Sequence, residues 1–203
     1  MVSLRTLITT GVVVMATPAT AMIGHLIRPL TYKTVMLFAP AQSIDLLNGP
    51  LIAFGQGPFP GIITGMEDIK RDLDSATEQI VDLSNYLQEG ADDPQDVADA
   101  YWQFVRIQQV YLQILIAKAG LFTLVPVIGQ PLTSVLRDSQ RATDALGAKL
   151  ISIIDSNYPY QNNQLISDRA LLNGWYNRAI ASYDGLIGLR KRDGQKEIRA
   201  FIA

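Results

Sequence analysis

The fold is decided by residues 97–115, VADAYWQFVRIQQVYLQIL, in which Val97, Tyr101, Phe104, Gln108, Tyr111 and Leu115 recur at spacings of 4, 3, 4, 3 and 4. That period places all six on one stripe of an α-helix and leaves the charged residues on the other side. Ahead of the stripe, Asp93-Pro94 offers a capping carboxylate and a proline suited to a first helical turn, and Asp92, Asp93 and Asp96 supply the negative charge that a helix N-terminus favours. Gly120 sits where a helix C-terminus belongs.

Working outward, the same rhythm returns on both sides. Ile69, Leu73, Ala76, Ile80, Leu83 and Leu87 repeat as 4, 3, 4, 3, 4 from Met66 onward, and Gly90 closes that helix. The apolar connector Leu121 to Gly129 leads to Pro131, which opens a third helix carrying Leu132, Leu136, Ser139, Thr143, Leu146, Leu150 and Ile153. Residues Asn157 to Asn163 read as a turn-rich linker. A fourth helix, from about Leu165 to Leu189, presents Leu172, Trp175, Ala179, Tyr183 and Leu186 on one side. Amphipathic helices with short connections predict an all-α fold, an antiparallel bundle of four to five helices with an apolar interior.

The flanks read differently. Residues 1–21 have the features of an export signal: Arg5 before an apolar run from Leu7 to Ala16, then Ala19-Thr20-Ala21 as a small-residue cleavage site. The run is shorter than the roughly 20 apolar residues that span a bilayer, so the expected product is secreted, without membrane insertion. Residues 22–65 form a leader interrupted by five prolines and six glycines, in which long regular elements are not expected. The helical domain is placed at 66–189, followed by a basic tail at 190–203 with Arg190, Lys191, Arg192, Lys196 and Arg199, read as a solvated frayed end.

Composition narrows the chemistry. With no cysteine and one histidine, His25, there is no thiol nucleophile, no disulfide and no multi-histidine metal site. The 17 basic against 19 acidic residues give no global field for nucleic acid. Residues 66–99 alone hold eleven acids against Lys70 and Arg71, an acidic outer face. Phosphate loops, nucleophile elbows, zinc-binding His pairs and calcium loops are all absent from the sequence. No enzyme and no cofactor is expected.

What stands out is polarity inside the stripes: Gln108 on one helix, Ser139 and Thr143 one turn apart on another. A buried hydroxyl or amide needs a partner. Ser and Thr find one in their own helix carbonyls; the other reading makes these groups the polar end of an apolar cavity that holds a lipid head group. On that reading the ligand-binding candidates are Gln108, Tyr111, Leu115, Leu136, Ser139, Thr143, Leu146 and Trp175.

The succession of a signal segment, Ile69-Lys-Arg-Asp-Leu73 with Ile80-Val-Asp-Leu83, the Leu124-Val125-Pro126 connector, and Thr143-Asp-Ala-Leu146-Gly-Ala-Lys-Leu150 before a helix ending near Tyr183-Asp184 resembles the fungal hydrophobic-surface-binding proteins, whose domain recurs in cell-wall galactomannoproteins. The resemblance runs from about Met66 to Leu186. It implies a secreted helical domain whose partners are hydrophobic surfaces and fatty acids or similar lipids, the latter enclosed in a central cavity. The competing expectation is a secreted wall or effector protein with a filled core that acts by protein interaction.

Overall fold

The structure is a computed structural model that describes residues 20–44, 58–88, 93–120, 129–154 and 158–202, with side chains over slightly shorter spans. Among the described residues every regular element is helical: α1 (Thr20–Met36), α2 (Phe38–Gln42), α3 (Phe59–Gln88), α4 (Pro94–Lys118), α5 (Gly129–Ile153) and α6 (Pro159–Ile202). The five long helices close into a ring. Going round it, α1 packs on α3, α3 on α5, α5 on α6, α6 on α4, and α4 back on α1.

Side-chain pairs fix the directions. Gln108 bonds Thr34 of α1 and Lys118 bonds the carbonyl of Ile44 just after α2, both 74 residues apart, so the α1–α2 segment and α4 run parallel. Likewise Tyr176 reaches Gln108 and Tyr183 reaches Leu115, both 68 apart, so α4 and α6 are parallel. Between α5 and α6 the pairs Arg137–Asp184 and Asp144–Arg169 converge in sequence, which makes these two antiparallel. Lys33–Asp72, with Leu37 against Gly65, does the same for α1 and α3. Consecutive long helices therefore alternate in direction, as expected of an antiparallel bundle, yet three of the five ring contacts are between parallel neighbours.

The predicted stripes point inward wherever their side chains are described. Ile69, Leu73, Ala76 and Ile80 of α3 are buried, as are all six stripe residues of α4 and Leu132 to Leu150 of α5. Asp93 caps α4 by accepting from the Gln95 amide at 2.9 Å. Leu83, Leu87, Gly90 and the connector from Leu121 to Ile128 lie outside the described residues or side chains.

Four expectations differ. The segment 22–65 contributes a full helix, with Ile23, Ile27, Leu30 and Thr34 in the core. Pro29 lies inside α1, and the carbonyl it leaves unpaired is that of His25, four residues back. Both residues are on the exposed face, where solvent can reach that carbonyl. The helix expected from Met66 starts at Phe59, with Pro60 in its first turn. Pro159 starts α6 inside the predicted linker, and the helix continues through the expected frayed tail to Ile202. Its final stretch is rich in Arg, Lys, Gln, Glu and Ala, which sustain helices. On α6, Tyr176 takes the interior position in place of Trp175, which is half-buried with the Arg178 guanidinium 4.8 Å over its ring.

Candidate functional site in the bundle interior

Midway along the ring the apolar core is crossed by a polar layer. Gln108 of α4 is its centre. Its Nε2 donates to Thr34 Oγ1 at 2.8 Å, and its Oε1 accepts from the Tyr176 hydroxyl at 3.5 Å. Thr34 in turn donates to the Leu30 carbonyl at 2.8 Å, so a residue of the supposed leader completes the layer. The Thr143 hydroxyl stands beside Tyr176 and donates to the Gln140 carbonyl of its own helix at 3.0 Å. About two turns away Tyr183 donates to the Leu115 carbonyl at 2.8 Å.

Two hydroxyls in this region have no partner. Ser139 Oγ and Tyr111 Oη are both buried and both unbonded. The registers of α4 on α6 and of α6 on α5 place them at about the same height in the ring. Phe38 stacks on the Tyr111 ring with centroids 6.3 Å apart. Burial pushes the Tyr111, Tyr176 and Tyr183 phenols well above their ordinary values, so each remains a neutral donor at physiological pH. No Lys or Arg is buried among the described residues, and the polar layer consists of neutral groups.

Of the sequence candidates, Gln108, Tyr111, Leu115, Leu136, Ser139, Thr143 and Leu146 are all buried in the ring interior, with Gln108 and Thr143 brought together through Tyr176. Trp175 is not among them. Sequence reasoning missed Thr34, discounted with its proline-rich surroundings, and Tyr176, displaced by the larger Trp175. A spacing of 4, 3 and 4 through Leu172, Tyr176, Ala179 and Tyr183 was the signal for the second.

Among the described residues no group of three or more His, Asp or Glu is placed to hold a metal ion. None of the described helices is long and apolar enough to cross a membrane. The layer offers hydrogen-bond donors and acceptors within apolar walls, a setting for holding the polar end of an apolar ligand.

No family model matches the chain, and no curated protein matches it in sequence. In fold it is similar to the crystal structure of AFMP4P in complex with palmitic acid, with a TM-score of 0.65 over 81% of this chain and 99% of that one, at 17% identity. The likeness establishes the helical-bundle architecture.

Proposed function

We propose that this protein binds fatty acids or related lipids in the bundle interior, with the head group at the level of Tyr111 and Ser139 and the acyl chain among the leucines around them. The observation that carries this reading is the pair of buried, unpartnered hydroxyls in the ring interior. A buried donor without a partner costs roughly 1–3 kcal/mol; the polar end of a ligand would offer each a partner. The bundle it resembles in fold was crystallised with palmitic acid, which supports the same ligand class. Binding, not catalysis, is the proposed activity. Export through residues 1–21 and adsorption to hydrophobic surfaces are proposed with it, on the sequence signal and the family resemblance.

The structure separates hydroxyls that sequence treated alike. Thr143 has its own helix carbonyl, so its removal should matter little. Tyr111→Phe with Ser139→Ala removes both free donors while keeping the walls. Hydrogen bonds to a charged group contribute about 1.5–3 kcal/mol each, so the double variant should bind a fluorescent fatty acid at least about tenfold more weakly at unchanged helicity. Wild-type protein that binds no fatty acid would remove the proposal.

A further inference from the structure

A second place on the molecule has the makings of a binding site and owes nothing to the interior. Where the N-terminal halves of α4 and α6 meet, an open groove of about 630 Å³ is lined by residues of both helices. Two aromatic rings, Trp102 and Tyr160, stand on it 41% and 71% exposed. Asp168 also lines it, yet that residue is only 7% exposed, and its Oδ2 has no hydrogen-bond partner. The carboxylate thus stands in the groove wall with one buried oxygen that no described group satisfies. Burial raises the Asp168 carboxyl above its usual range, in keeping with a group held short of hydrogen bonds.

The rest of the lining selects among ligands. Asp99 and Asp168 disfavour an anion. A cation would seek the Trp102 ring, but the Arg106 guanidinium already lies 5.5 Å over that ring, and its charge opposes a second one. What remains are side chains that suit hydroxyl groups: amides, which both donate and accept, beside a carboxylate that accepts. One of these amides is held in place, since Gln161 donates to Gln95 at 3.0 Å and Gln95 donates to Asp99 at 2.8 Å. Exposed aromatic rings next to fixed polar groups match a ligand with one apolar face and a polar rim.

We infer that this groove is a binding site for a neutral carbohydrate, with the C–H face of a sugar ring on Trp102 or Tyr160 and its hydroxyls on Asp168, Asn163 and Gln164. Tryptophan reports on it directly, because the protein's other tryptophan, Trp175, lies elsewhere on α6 and is replaceable. In a Trp175→Phe background, titration of the full chain with cellotetraose, maltotetraose, mannotetraose and chitotetraose should change the Trp102 emission for at least one of them. Calorimetry should then show that Trp102→Ala abolishes that binding and that Asp168→Asn weakens it at least about tenfold. Tyr160→Ala, at a position exposed enough that folding is not at stake, should weaken it as well.

Three results would overturn the assignment: no oligosaccharide bound at about 10 mM, a millimolar Kd being already weak binding; binding unchanged in all three variants; or a response to choline or spermidine with the sugars silent. Fatty-acid affinity should be indifferent to all three substitutions, which keeps this test separate from that of the interior.

Discussion

Asp168 weakens the fold it belongs to. Its folded carboxyl is raised, so the native state binds the proton more tightly than the unfolded chain does. Stability from this group is fully present below the unfolded carboxyl value of about 3.9 and is lost as pH rises through the higher folded value. Asp168→Asn should therefore raise the melting temperature at pH 7, and the gain should vanish below about pH 4. Asp144 has the opposite sign: Arg169 bonds both its oxygens at 2.7 Å and lowers its carboxyl, so its contribution is present above the unfolded value and disappears as pH falls through the folded one. A melt series from pH 3 to 8 on both Asn variants distinguishes them. A third residue, Gly147, is fixed by contact. A Cβ there would lie 2.5 Å from Tyr101 Oη, which has no hydrogen bond to lose. Gly147→Ala should cost about 1–3 kcal/mol, and Tyr101→Phe in the same chain should recover most of it.

Among the elements, α5 has the clearest facing, and Leu146 is fully buried on it. Leu146→Asp would place a charge in a core where no described Lys or Arg is buried, and should destabilise by more than about 4 kcal/mol in a denaturant melt. That facing was legible because period 3.6 survives any choice of partner. Two other elements were not. Prolines and glycines in 22–65 weighed against a helix, but a proline whose freed carbonyl faces water costs α1 little packing, and its core residues Ile23, Ile27, Leu30 and Thr34 still fall at spacings of 4, 3 and 4. On α6 the error was one position. A single residue turns a helical face by about 100°, enough to exchange Tyr176 for Trp175 between interior and rim. The polar layer was half legible: Gln108, Ser139 and Thr143 interrupt apolar stripes, whereas Thr34 becomes recognisable only once α1 is a helix. The outer groove had no sequence signature, because periodicity says which side of α4 is wet and nothing of what faces it.

For the whole molecule, the proposed export signal overlaps the ring by two residues, Thr20 and Ala21, the first of α1. Cleavage after Ala21 would keep Ile23, the first described core residue, as the second residue of the new chain. Secreted protein should therefore begin at Met22 by N-terminal sequencing and melt as a complete bundle; retention of Met1 on protein that stays inside the cell would refute export. The order of helices round the ring was not legible, since each stripe specifies an inward face but leaves the neighbour open.

That order also governs how the chain finds its native state. A bundle whose sequence neighbours are also spatial neighbours can assemble by successive short closures. Here α3 and α4 are joined by a short segment but do not pack side by side, while the parallel contacts of α1 on α4 and α4 on α6 bridge about 70 residues each. Loop closure over such distances precedes the reward of contact, so the folding rate is set by topology more than by helix formation. Helix α1 must wait for the synthesis of α4 before it has both its neighbours, and until then its apolar stripe has nowhere to rest.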